Sequence, residues 1–350
     1  MAFIQKRKNY ELKFLLTIVL LFVLIIVSSA IGIANITFSQ TMNIILSRVP
    51  FVNKLISQDY ISSTHRLIIL NIRLPRIVLS AFIGAGLALV GTAFQAIFKN
   101  PMADPYVLGI SSGASLGATI AIITGIEFAF KNIGMVTIFA FIGAISTTFI
   151  VYNIARVGGK IPINILLLAG VAISFLFSSL VYLMMIFNRE QIEKIIFWTM
   201  GSVSEASFTH VLLVLPFVLI GGIIIYVFAR DLNLMLTGDE TALTLGIEVE
   251  TVKKLILVVS SLIIAACVSV SGIIGFVGLI IPHILRIIVG PDHKILLPFS
   301  AVGGAIFMII CDTLARSLVP PIEIPVGAIT SLFGAPYFIY LLVKKKKQVN

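Results

Sequence analysis

The stretch "RLPRIVLSAFIGAGLALVGTAFQAIFKN", residues 73–100, decides the fold class. It carries no charge from Ile77 to Phe98. As a helix rising about 1.5 Å per residue, that run is long enough to cross the roughly 30 Å hydrocarbon core of a bilayer. The rest of the chain repeats the pattern: 59% of its 350 residues are hydrophobic and 11% charged, with a mean hydropathy of +1.13, where soluble domains stay near 45–50% apolar. An all-α polytopic membrane protein follows. Apolar windows between charge clusters and turn residues place spans near 14–34, 74–98, 105–125, 134–155, 163–187, 210–229, 253–272, 278–290, 295–318 and 326–343, about ten in all. The first follows Lys6, Arg7 and Lys8 as a signal peptide would, but its apolar run is too long for one and reads as a retained span. The eighth is too short to cross alone and contains Pro282, so residues 275–282 are expected to be irregular and buried against protein.

The net charge of +10 is scattered between apolar runs, with no aromatic-interleaved basic face, and so argues for membrane topology and against nucleic acid. With both termini inside, 16 of the 25 basic residues are cytoplasmic. The lysines follow the rule, 12 of 15 being inside, whereas six of ten arginines are outside: Arg48, Arg66, Arg73, Arg76, Arg189 and Arg316. Pro75 stiffens the segment bearing Arg73 and Arg76, and rigid guanidinium forks suit carboxylates, so an external acidic partner is expected. For Arg316 the competing reading is a pair with Asp312 within one helix.

Gly109, Gly113 and Gly117 recur at four-residue spacing and would let a neighbouring helix approach closely. The longest cytoplasmic connection, about 230–252, sets Thr237 and Glu240 at capping-box spacing, gives Ala242, Leu243 and Leu245 a short apolar face, and ends on Gly246 as a helix stop. A second short helix is expected near 249–255. Together they read as a knob for a cytoplasmic partner's groove. The external stretch 188–210 looks amphipathic, with Trp198 at the interface. No phosphate-binding G-x-x-x-x-G-K-[ST] loop, H-E-x-x-H or clustered Cys/His set occurs, and Cys267 and Cys311 read as small core residues. No metal site or catalytic residue is therefore expected. Asp312 is the one acidic residue well inside an apolar run, which weakens an ion-coupled secondary transporter reading.

In chain order, "RLPRIVLSAFIGAGLALVGTAFQAIFKNPMADPYVLGISSGASLGA", "LLLAGVAIS", "LTGDETALTLGI", "GFVGLIIPHILRIIVGPDHKILLP", "CDTLAR" and "IPVGAITSLFGAPYFIYLL" resemble the FecCD family. These are the permease subunits of ATP-driven importers for iron chelates, haem and cobalamin. The resemblance runs from about residue 70 to the C-terminus. It implies a type II ABC importer permease fold of ten spans with both termini cytoplasmic, residues 1–350 forming one transmembrane permease domain in the bacterial cytoplasmic (inner) membrane. Its implied partners are membrane lipid, a second permease chain, identical or related, two ATPase subunits, which use ATP and Mg, and an extracytoplasmic substrate-binding protein. This chain itself would bind no cofactor and hydrolyse nothing. By the same resemblance Arg73, Arg76 and Arg316 meet glutamates of the binding protein. Gly238, Asp239, Glu240, Ala242, Leu245 and Gly246 contact the ATPase. Ile161, Pro162, Ile163 and Asn164, continuing to Gly170, form the gate and line the pathway. That gate is bulkier and more apolar than the small-hydroxyl pattern of cobalamin permeases. The expected cargo is a ferric siderophore or related iron complex, with haem or cobalamin as the runner-up.

Overall fold

The computed structural model describes residues 2–32, 34, 36–48, 62–126, 129–130 and 133–349. Helix α1 (Ala2–Ala30) is followed by α2 (Phe38–Leu46) and α3 (Ser63–Leu67), which passes through a π-helical turn, Ile68–Arg73, into α4 (Leu74–Ile97). A 3-10 turn, Pro105–Leu108, precedes α5 (Ile110–Thr124), and a two-stranded hairpin, β1 (Ala129–Phe130) and β2 (Ile133–Gly134), leads to α6 (Met135–Ala155). Then come α7 (Ile163–Phe187), α8 (Ile192–Thr199), α9 (Phe208–Val227), α10 (Ala229–Met235) and α11 (Asp239–Thr244). The chain closes with α12 (Val249–Ser271), α13 (Val277–Val289), α14 (His293–Ser317) and α15 (Val326–Val349).

Among the described residues, eight helical stretches are long and apolar enough to cross a membrane: 10–30, 63–97, 135–155, 163–187, 208–227, 249–271, 293–317 and 326–344. Helices α5 and α13 are shorter apolar helices and lie where the third and eighth spans were expected. Three details differ from the sequence expectations. The third span begins with the 3-10 turn and Gly109 in the left-handed region at φ 74° before α5 starts. The stretch near 249–255 is no separate helix but the first turns of α12. The irregular segment is 272–276, and Pro282 lies inside α13.

The last difference has a local cause. Pro282 cannot donate to the carbonyl of Gly278 four residues back. That carbonyl instead faces Gly91 of α4, where any Cβ would strike it. Within the break at 272–276, Ile274 is buried, its N–H donates to the Tyr106 hydroxyl at 3.3 Å, and the same hydroxyl donates to the Ile274 carbonyl at 3.0 Å. Both backbone groups are thus paired inside protein, as non-helical backbone at this depth requires.

Helix α4 lies at the centre, buried without interruption from Gly86 to Ile97. It is flanked by α9, α12, α13 and α14. Lipid is as apolar as the helices, so they associate through close van der Waals fit and not by hiding from water. Small residues make that fit possible. Gly84, Ala88 and Gly91 share one face of α4, at spacings of four and three. A Cβ on Gly84 would meet the Gly304 carbonyl of α14, and one on Gly304 would meet the Gly84 carbonyl and Ala88. A second seam joins α5 to α6, where Gly113 faces Gly143 and Thr147 and Gly117 faces the Phe139 carbonyl. Of the three expected packing glycines, Gly109 faces Ser174 and the Gly170 carbonyl of α7, so it serves a turn as well as a contact.

Gly84→Ala and Gly113→Ala should each destabilise the detergent-purified protein by roughly 1–3 kcal/mol, the usual cost of overpacking, visible as a lower thermal midpoint. Gly134→Ala, whose Cβ would meet nothing within 4 Å at an ordinary φ of −65°, should leave the midpoint unchanged. Equal midpoints for all three would show that the seams do not hold the bundle.

Candidate functional site

At the end of the bundle expected to lie outside, the structure brings the three singled-out arginines together but turns them inward. Arg73, Arg76 and Arg316 are 5%, 6% and 6% exposed. Arg73 donates to the carbonyls of Ser29 at 2.8 Å, Ala30 at 3.0 Å and Ala34 at 3.0 Å. The first two are at the end of α1, where terminal carbonyls lack helical donors and the dipole favours a cation. Gly32 makes room for this, since a Cβ there would overlap the Arg73 guanidinium. Arg316 holds the same helix end, donating to the carbonyls of Ser28 and Ile31 at 2.5 and 2.9 Å and to the Ser28 hydroxyl at 2.8 Å. Its Nε is 3.7 Å from Asp312 Oδ2, so the expected pair within α14 is a secondary contact.

Arg76 has the carboxylate partners. Its Nε meets the fully buried Asp312 Oδ1 at 2.8 Å, and its Nη1 reaches both oxygens of Glu323, at 3.0 and 2.8 Å. Glu323, at 40% side-chain exposure, is the cluster's solvent-facing member. It was not among the residues picked out from sequence, although it is the only acidic residue after Asp312. Three guanidiniums against two carboxylates leave this end with an excess of positive charge.

At the opposite end, α11 projects from the bundle. Its N-cap is Gly238 at φ 129°, not Thr237, whose hydroxyl turns back to the Leu234 carbonyl; the anticipated capping box is absent. The C-terminal stop is as expected. Gly246 takes φ 85°, its N–H reaches the Leu243 carbonyl and that of Ile247 reaches Ala242, each at 3.0 Å. This is a Schellman closure that a left-handed residue must complete. Ala242 is buried, while Glu240, Leu243, Leu245 and Gly246 face outward, both leucines at 57% exposure.

Asp239 anchors this helix. Its carboxylate meets Lys99 and Lys253, each at 2.6 Å. Burial alone would raise its pKa, but the two ammonium groups outweigh that and hold the carboxyl below its ordinary range. The anchor is therefore intact at neutral pH and is lost only as pH falls through that lowered value. Lys99, Lys253 and Glu250, which completes the network, were not picked out from sequence; the three-residue step from Glu250 to Lys253 was the available signal.

Between the two ends runs α7. Ile161 is buried just ahead of it, Pro162 is its N-cap, Ile163 is half-buried and Asn164 is exposed. The Cα of Gly170 lies against the Val107 carbonyl, too close for a Cβ. The helix carries no charge from end to end. Leu168, Val171, Phe175 and Tyr182 stand exposed along one face at 70%, 48%, 72% and 64%. Beside it a cleft is lined by Tyr106, Val107, Val171, Ser174, Phe175 and Ser178. Among the described residues no group of three or more His, Cys, Asp or Glu is placed to hold a metal.

Comparison with known proteins places the chain in a family. The cobalamin import system permease protein of Halobacterium salinarum is 43% identical over 81% of this chain and 75% of its own length. The hemin transport system permease protein of Yersinia pestis is 41% identical over 80% of this chain and 84% of its own. A solved metal-chelate type ABC transporter in an inward-facing conformation matches with a TM-score of 0.81 and 32% identity, covering 95% of this chain and 98% of that one. The profile of the FecCD transport family matches residues 20–344. The chain therefore belongs to the FecCD transport family, the transmembrane permeases of ABC importers, and is a multi-pass inner-membrane protein and not an enzyme.

Proposed function

We propose that this permease carries a ferric siderophore or a related iron complex inward, paired with a second permease chain, identical or related, across the exposed face of α7. Two ATPase subunits beneath it use ATP and Mg, and a substrate-binding protein delivers the cargo from outside. Both termini are cytoplasmic, and this chain binds no cofactor itself. The observation that carries the reading is the uncharged wall of α7. A bulky polar chelate passes such a wall without being gripped, because it offers few of the placed polar groups that fix a ligand. Relatives named for Fe(3+)-citrate and iron(3+)-hydroxamate import support iron as cargo. The second reading, cobalamin or haem, is favoured by the names of the two permeases compared above. Uptake by proteoliposomes containing the permease, its ATPase and its binding protein separates them. ATP-dependent entry of a ferric hydroxamate or ferric citrate, not competed by cyanocobalamin or hemin, is the expected result; entry of cyanocobalamin or hemin alone would replace the iron reading.

The docking surface for the binding protein is built on Arg73, Arg76 and Arg316. Arg76 links that surface to the bundle, because its guanidinium pairs with the exposed Glu323, while Arg73 and Arg316 brace the end of α1 beneath it. Removing Arg76 alone would strand the buried Asp312, at a cost of about 3–5 kcal/mol. The informative variant is therefore the neutral pair Arg76→Gln with Asp312→Asn. It should weaken binding-protein docking about tenfold at low salt and flatten its salt dependence, with the ATPase still co-purifying. Unchanged docking would leave the cluster a purely structural clamp.

Contact with the ATPase runs through α11 and its flanks, Gly238, Asp239, Glu240, Leu245 and Gly246, with Ala242 buried beneath them as the residue that seats the helix on the bundle. The exposed leucines on so short a helix support this, since an apolar knob outside lipid calls for a groove to fill. Leu245→Asp should abolish ATPase co-purification while leaving the permease's own thermal midpoint unchanged. Full co-purification and transport by Leu245→Asp would remove α11 from the interface.

A further inference from the structure

Five groups from separate stretches of the chain meet at the base of the bundle. Lys99 follows α4, Asp239 opens α11, Glu250 and Lys253 belong to the first turns of α12, and the N–H of Ile161 leads into α7. Lys253 is the hub: its side chain is 5% exposed, while Asp239 and Glu250 are 38% and 36% exposed. Each carboxylate divides its two oxygens. Asp239 gives Oδ2 to Lys253 at 2.6 Å and Oδ1 to Lys99 at 2.6 Å. Glu250 gives Oε1 to Lys253 at 3.2 Å and Oε2 to the Ile161 N–H at 2.9 Å. Two ammonium and two carboxylate groups balance, so the network is neutral as a unit. A buried ammonium is costly to leave unpaired, so Lys253 follows its carboxylates when they move.

We propose that Lys253 and Glu250 are positioning residues that transmit movement of α11 to the gate at Ile161–Asn164, through Asp239 on one side and the Ile161 N–H on the other. The inference rests on the reading of α11 as the ATPase contact and of the start of α7 as the gate. Mechanically the path is short. Asp239 is the first residue of α11, Ile161 immediately precedes the N-cap of α7, and charge-assisted hydrogen bonds join them through one ammonium and one carboxylate. Such bonds are stronger than neutral ones. Glu250→Gln keeps the side chain's shape at a half-exposed position but weakens both of its bonds, and so loosens the link without emptying the core.

The test uses Asn164→Cys as a reporter, since Asn164 is exposed and both native cysteines are buried. The complete importer in proteoliposomes is labelled with a membrane-impermeant maleimide, with and without ATP plus vanadate. In the reporter background the labelling rate should change about fivefold or more with nucleotide state, a typical coupling between sites. In Glu250→Gln and in Lys253→Met that dependence should fall below about twofold, with the ATPase still bound and hydrolysing, while Lys253→Arg keeps it. Full nucleotide dependence in Glu250→Gln overturns the inference. Loss of ATPase binding in Glu250→Gln overturns it too, because Glu250 would then serve only the docking helix. Failure of the underlying readings shows elsewhere: Leu245→Asp would retain the ATPase, or Asn164→Cys alone would not respond to nucleotide.

Discussion

Helices surrounded by lipid gain little by hiding apolar surface from one another, so this bundle depends on how closely α4 can approach its neighbours. Gly84 against Gly304 and Gly91 against Gly278 set that distance. Once α4 is fixed between α13 and α14, its two ends are fixed as well. Arg76 in its first turn meets Asp312 of α14, and Lys99, just beyond its last, meets Asp239 of α11. One densely packed helix thus connects a charged cluster at one end of the bundle to a charged cluster at the other.

The two clusters differ in kind. The arginine cluster is buried and carries excess positive charge, with an exposed carboxylate as its lid. The lysine cluster is half-exposed and neutral, with a single buried ammonium at its centre. A buried charge pair is held together largely because separating it is so expensive, which suits a rigid brace for the end of α1. Half-exposed carboxylates exchange partners with water more readily, as the proposed link from α11 to the start of α7 requires. Helix α7, between them, carries neither kind of cluster.

Much of this was legible in sequence because lipid imposes a simple rule: runs of apolar residues near 20 long become helices. The family blocks carried the same architecture, and the glycine spacing at 109, 113 and 117 pointed to a tight seam. What sequence could not supply was direction. Arg73 and Arg76 read as outward forks because nothing in the chain names the carbonyls at the end of α1, or Asp312 and Glu323 more than 230 residues away, as their partners. Thr237 matched a capping box by spacing alone, yet Gly238 took the cap because its φ of 129° suits glycine. Pro282 suggested a break, yet α13 runs through it, with the carbonyl of Gly278 close against Gly91.

The hydroxyl of Tyr106 closes the gap where helix is missing. One oxygen atom, brought from 168 residues away, receives the N–H and supplies a hydrogen to the C=O of the same residue, Ile274. It does for that residue what an adjacent β-strand would do. The break between α12 and α13 thus has the backbone economy of a sheet edge without a sheet, and its shape is pinned to the 3-10 turn that leads into α5.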